Sequence, residues 1–265
     1  MYPPVIAASK YIRYWLTAAN GKGHGTHSPF VYQFIRDVLN DKKHYVEYDK
    51  AEALRNRLLH DKEEISIEDM GAGSVASNKK IRTIASIAKH AAKPPKYAQL
   101  LFRIAKYYQP SRILELGSSM AISTTYLALA APAAKIVTIE GASSLVVIAR
   151  KNLDELEVTN CKVLEGNFDI LLPALLKEQP QWDMIFIDGN HRKEATLRYF
   201  EWLLRSTGST SIFIFDDIHW SREMEKAWAI IRTNPRIKCS IDLFFIGIVF
   251  FREEFHEKQD FTIRF

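Results

Sequence analysis

The sequence predicts an α/β fold: a mostly parallel sheet with helices on both faces, closed by an antiparallel hairpin near the C-terminus. Three observations predict it. From residue 112 onward, short apolar runs alternate with helix-periodic segments, the rhythm of successive βαβ units. Two of these runs end in carboxylates: WDMIFIDGNH (182–191) leads into Asp188, and SIFIFDDIHW (211–220) leads into Asp216 and Asp217. The last two runs, IKCSIDLF and IGIVFF, are joined by so short a link that only antiparallel pairing closes it.

Taken in order, residues 5–19, 29–40 and 49–60 carry apolar residues at helical spacing. Ser28-Pro29 reads as an N-cap followed by proline at the first helical position. Residues 78–92 (NKKIRTIASIAKHAA) are expected to be helical up to Pro94-Pro95, and 96–108 form another helix ending before Pro110. Strands follow at 112–116, 135–140, 161–166, 183–188 and 211–216, with helices at 121–131, 143–157, 169–178, 192–205 and 221–233 between and after them. The organisation expected is a helical N-terminal extension, residues 1–95, with a substrate cap as one role for it, and an α/β domain over 96–265.

Composition narrows the class. The 265 residues are 47% hydrophobic and 25% charged, enough apolar material for a large core. The only cysteines, Cys161 and Cys239, form no CxxC, which argues against a zinc site or a disulfide framework and fits a reducing, cytoplasmic setting. No stretch approaches the roughly 18 apolar residues of a membrane span, and no membrane partner is expected. The start, MYPPVIAASKYIRYW, lacks the pattern of a signal peptide. The net charge of +5 sits wholly in residues 1–95, which hold 15 Lys/Arg and 10 Asp/Glu; residues 96–265 hold 21 of each. A solvated surface explains that surplus, and an anionic substrate or RNA would use it.

Ligands of open α/β sheets bind at the carboxyl ends of strands. Three acids converging there repel one another, and a divalent cation with oxygen ligands relieves the repulsion. Each pair also has a plainer reading as a turn or helix cap. ILELGSSMAIS (113–123) joins a strand, a Gly turn and a helix start, and the next strand ends in Glu140, placed to accept hydrogen bonds from ribose hydroxyls. The GxGxxG fingerprint of a dinucleotide site is absent. EDMGAGS (68–74) looks like a second Gly-rich cofactor loop, but no acid-ended strand follows it at the right distance, and it reads as a loop of the extension. His24 and His27 lack nearby acids or cysteines and read as a loop feeding the Ser28 cap, with a substrate-facing lid as another option.

These motifs together resemble class I S-adenosylmethionine-dependent methyltransferases, and more narrowly the metal-dependent catechol and caffeoyl-CoA O-methyltransferase group. ILELGSSMAIS is similar to the first cofactor motif, TIEG (138–141) to the ribose-binding acid, MIFIDGNH and IFDDIHW to the metal-binding strand ends, and 234–252 to the closing hairpin. The resemblance covers about residues 97–252 and implies a Rossmann-like methyltransferase sheet. It implies S-adenosylmethionine held by Glu115, Gly117, Ser118, Ser119, Ser123, Glu140, Gly141, Phe168 and Asp169, with Asp188 at the cofactor's edge. It implies a divalent cation, Mg²⁺ first, on Asp188, Asp216 and Asp217, and His191 as the base where relatives place a catalytic lysine. Three departures stand out: Ala121 for the motif's second glycine, Asp217 for an asparagine, and Ile246 for a substrate-binding aspartate.

The expected function is O-methylation of a small hydroxylated acceptor. A tRNA or RNA methyltransferase is the alternative that the basic surplus allows, and a non-catalytic cofactor-binding or interaction protein is the alternative that Ala121 and Ile246 allow. A homodimer is an open option.

Overall fold

The computed structural model describes residues 1–24, 27–68, 79–178, 181–255 and 257–265. The chain forms two compact units, Met1–Asp41 with Gln179–Phe265, and Lys42–Glu178. In the first unit the chain opens with helices α1 (Pro4–Thr17) and α2 (Pro29–Phe34), the latter running into a π-helical turn at Ile35–Leu39. Proline at the first turn of α2 lacks only an N–H that would be unpaired there anyway, and Ser28 Oγ accepts from Val31 N–H as the cap.

The second unit holds α3 (Val46–His60), strands β1 (Glu64–Glu68) and β2 (Lys79–Thr83), α4 (Ile84–Ala91), α5 (Pro95–Tyr108), β3 (Arg112–Leu116), α6 (Ile122–Ala130), β4 (Lys135–Glu140), α7 (Ser143–Glu155), β5 (Cys161–Glu165) and α8 (Phe168–Glu178). Strands β3, β4 and β5 pair in parallel in that order, Ile113 opposite Ile136 and Ile136 opposite Cys161. Helix α6 is buried around almost its whole circumference, with Tyr126, Leu127 and Ala128 in the core and the hydroxyls of Ser123, Thr124 and Thr125 buried beside them.

The chain returns to the first unit with β6 (Trp182–Ile187), α9 (Lys193–Leu204), β7 (Thr207–Asp216), α10 (Arg222–Thr233), β8 (Cys239–Asp242), β9 (Ile246–Phe250) and β10 (Gln259–Thr262). The order there is β10-β8-β9-β7-β6. Strands β6 and β7 are parallel, whereas β9 runs antiparallel to both β7 and β8. Buried on both faces, β6 and β7 read as continuous apolar runs rather than alternating ones. Gly247 in β9 is required by packing: a Cβ there would lie 2.7 Å from Cη2 of the Trp228 indole on α10.

The mostly parallel sheet and the antiparallel hairpin that the sequence predicts are thus borne out. Strands β1, β2 and β10 differ from expectation. The helix expected over 78–92 is a strand over Lys79–Thr83 followed by a helix over Ile84–Ala91. The spacing of Ile81, Ile84 and Ile87 suits a helix, but antiparallel pairing with β1 overrides it up to Thr83, whose Oγ1 then caps α4 by accepting from Ser86 N–H at 3.1 Å. Strand β10 is short and polar enough to leave no period-2 signal, and parallel pairing with β8 forms it. Cys161 and Cys239 are both free thiols.

Candidate active site

In the second unit, the loops that follow β3, β4 and β5 leave the same end of three parallel strands. The β3–α6 loop is unusual in its backbone. Gly117 (φ 98°), Ser119 (φ 47°) and Ala121 (φ 65°) all adopt left-handed conformations that side chains disfavour. Its amides serve protein acceptors: Gly117 N–H donates to Ile139 O at 2.9 Å, Ser119 N–H to Glu140 Oε2 at 2.8 Å, and Ala121 N–H to Ser118 O at 2.7 Å. A pyrophosphate cradle needs such amides available, so the loop does not suit a dinucleotide.

Glu140 ends β4 half-buried, and its second oxygen accepts from Ala142 N–H at 3.0 Å. A carboxylate oxygen can accept more than one hydrogen bond, which is the chemistry that ribose hydroxyls need. Ser118 Oγ is buried and has no partner among the described residues, although such groups normally find one. Gly141, Phe168 and Asp169 lie half-buried at the ends of β4 and β5. Glu115 is placed deeper. Fully buried, it accepts from Ser123 Oγ at 2.7 Å and Thr124 Oγ1 at 2.5 Å, so it anchors the first turn of α6 beneath the loop.

Ala121 sits where the left-handed backbone favours glycine, at a cost of about 1–2 kcal/mol. Ala121→Gly is expected to stabilise the protein by about 0.5–1 kcal/mol, the gain being trimmed by the extra freedom of glycine in the unfolded chain. Thermal unfolding checks this; a lower melting temperature would contradict it.

In the first unit, β6 and β7 place two acids side by side. Ile187 is opposite Phe215, so the next residues, Asp188 and Asp216, leave adjacent strand ends. His191 completes the group: one ligand atom from each of Asp188, His191 and Asp216 lies within 4.8 Å of the others. His191 Nε2 is 3.6 Å from Asp188 Oδ1, beyond hydrogen-bond reach, and its ring lies 5.7 Å from that of Trp220. Asp217 is not in this group. The backbone turns left-handed there (φ 53°), and the Asp217 carbonyl accepts from Trp220 N–H at 2.9 Å. His24 and His27 are exposed and join no such group among the described residues, and nearly all of EDMGAGS lies outside them.

A polar network in the same unit escaped the sequence reading. His219 bridges two acids, with Nε2 2.9 Å from Asp242 Oδ2 and Nδ1 3.1 Å from Glu225 Oε1. Asp242 also accepts from Trp228 Nε1–H and Phe244 N–H, both at 2.9 Å. Glu225 also holds α1, accepting from Lys10 Nζ at 2.9 Å and Tyr2 OH at 2.7 Å. The only available hint was a lone acid, Asp242, inside an apolar strand.

Burial lowers the His219 pKa, but the bonds to Asp242 and Glu225 outweigh it, and the net shift is upward. Its contribution to stability is therefore complete below the unfolded value of about 6.5 and is lost as pH rises through the raised folded value. Asp242 and Glu225 shift the other way. Burial raises each, yet hydrogen bonds from His219 to Asp242, and from Tyr2, Lys10 and His219 to Glu225, hold both below the usual carboxylate range. Their contribution is present above about pH 4 and is lost as pH falls through the depressed values. His219→Gln is expected to remove the alkaline loss and to shrink the acid one to the part that Tyr2 and Lys10 maintain at Glu225, lowering the melting temperature by roughly 3 °C near pH 6. Melting curves across pH 3–9 check this; an unchanged alkaline limb would contradict it.

With this geometry in view, the comparisons with known proteins converge. Residues 114–218, which hold the β3–α6 loop, Glu140, Asp188, His191 and Asp216, match the family model described as a methyltransferase domain. Residues 114–218 are thus similar to a methyltransferase domain. The chain is similar to a catechol O-methyltransferase from Niastella koreensis, with 31% identity over 127 residues, 47% of this chain and 57% of that protein. The match thus spans just over half the length of the curated relative. In fold, the chain is similar to a methyltransferase from Podospora anserina bound to SAH (TM-score 0.60, 16% identity, 85% of this chain and 97% of that one). It is also similar to an O-methyltransferase from Bacillus cereus in complex with SAH (TM-score 0.55, 19% identity, 83% and 97%). The Rossmann-like fold around residues 114–218 agrees with the resemblance that the sequence carries.

Proposed function

We propose that the chain is an S-adenosylmethionine-dependent O-methyltransferase that acts on a small hydroxylated acceptor with the help of a divalent cation. The observation that carries this reading is the convergence of Asp188, His191 and Asp216 at the ends of two parallel strands. Two carboxylates and an imidazole suit a hard or borderline divalent ion such as Mg²⁺ or Mn²⁺. The relative's name, catechol O-methyltransferase, supports an aromatic vicinal diol as the acceptor class.

S-adenosylmethionine supplies an electrophilic methyl group on a sulfonium. Glu140 would accept hydrogen bonds from the ribose hydroxyls, the buried Ser118 hydroxyl, which has no partner among the described residues, would gain one, and Phe168 and Asp169 would border the adenine. Asp188 and Asp216 would hold the cation, which when bound would supply the charge that lowers the pKa of an acceptor hydroxyl. His191, beyond hydrogen-bond reach of Asp188, takes the proton from that hydroxyl.

Calorimetry with S-adenosylmethionine tests the donor site. Glu140→Ala is expected to weaken binding about 10–100-fold, the worth of hydrogen bonds to a charged acceptor. Unchanged affinity would remove Glu140 from the site. The compact three-donor geometry also admits His191 as a cation ligand, and His191→Gln separates the roles. As base, its loss leaves cation affinity intact and lowers turnover; as ligand, its loss weakens cation binding.

A further inference from the structure

We propose that the solvent-facing side of α1 is a contact surface for an anionic lipid bilayer. The helix is held from one side only: Tyr14 is buried against Phe244, with ring centroids 5.2 Å apart, and its hydroxyl donates to Ile263 O. On the opposite side stand Val5, Ile12 and Leu16, at separations of seven and four residues that keep them on one face. They are 81%, 59% and 71% exposed, and Trp15 beside them is 47% exposed. The apolar surface continues through rings in contact, Trp15 to Tyr11 at 6.4 Å and Tyr11 to the exposed Phe245 at 5.8 Å. An apolar strip of this extent on a helix marks an interaction surface.

Charge selects the occupant. The first 36 residues contain Lys10, Arg13, Lys22 and Arg36 and no Asp or Glu. Lys10 is paired with Glu225 and Arg36 with Asp37. Arg13 and Lys22 have no ion pair among the described residues, and the guanidinium of Arg264 lies 5.7 Å above the Trp15 ring. A second copy docked here about a two-fold axis would set these cations against their own counterparts. An anionic bilayer instead offers phosphate to the cations, an apolar layer to Val5, Ile12 and Leu16, and an interface that suits Trp and Tyr. No helix among the described residues is long and apolar enough to cross a membrane, so the contact is peripheral and needs no span.

Flotation of the full chain with extruded vesicles tests this. The protein is expected to float with phosphatidylglycerol–phosphatidylcholine vesicles (about 1:2), to fall away in high salt, and to stay behind with phosphatidylcholine alone. Arg13→Gln is expected to reduce partitioning about fivefold, and Ile12→Asp or Leu16→Asp about tenfold or more, with unchanged melting temperatures because these side chains are exposed. Absence of flotation with the anionic vesicles, or flotation indifferent to Ile12→Asp and Leu16→Asp, would overturn the proposal. So would a dimer, seen by light scattering, that the same two variants dissociate, since a second copy would then be the occupant.

Discussion

Replacing Asp216 with alanine is expected to lower methyl transfer about 10³-fold and to abolish its response to added cation. Asp216 is buried at the end of β7, beside Asp188 at the end of β6. A Lewis acid contributes several kcal/mol to activating a hydroxyl, and about 4 kcal/mol corresponds to a factor of 10³. Alanine removes one of only two carboxylates in the group and leaves a single charge to hold the cation. The neighbouring position is the internal comparison. Asp217 is outside the group, so Asp217→Asn, which installs the residue of the resembled family, is expected to change turnover less than about tenfold. Initial rates against cation concentration for the two variants make the distinction, and equal losses would refute the placement of the cation.

The second large effect is structural. Asp242→Ala is expected to destabilise the protein by about 3–5 kcal/mol, a fall in melting temperature of roughly 10 °C. One buried carboxylate collects hydrogen bonds from His219, Trp228 and Phe244, and its loss leaves all three donors unsatisfied at once. It also frees the ring of His219, which stacks on Phe244 at 5.1 Å and reaches Glu225, the acid that fastens α1 through Tyr2 and Lys10. Asp242→Asn, which keeps the shape but not the charge, should lose about half as much. Calorimetric melting of both variants checks this, and a change under about 1 kcal/mol would show that the network carries little stability.

Much of this architecture was legible in the sequence because burial imposes a pattern. Strand β7 lies between β6 and β9, and both β6 and the second half of β7 are buried, which forces apolar runs, and the acids that end those runs stand out. Less is legible where backbone and tertiary context decide. Asp216 and Asp217 look like a pair in sequence, yet adjacent residues at a strand end point apart, and the left-handed turn at Asp217 takes it out of the group. His219, Glu225 and Asp242 become neighbours only when α10 and β8 fold back on the loop after β7, and no local period encodes that. The strand at Lys79–Thr83 follows from its partner and not from its own helical spacing. The left-handed loop from Gly117 to Ala121 shows why a glycine is common at its end, although this chain has alanine there.

The most direct test of the central claim is turnover of S-adenosylmethionine with a catechol acceptor, followed as methylated product, with and without an excess of chelator. Product is expected with Mg²⁺ or Mn²⁺, with its loss in chelator and its recovery when the cation is restored. Undiminished turnover in chelator would contradict the role given to Asp188 and Asp216.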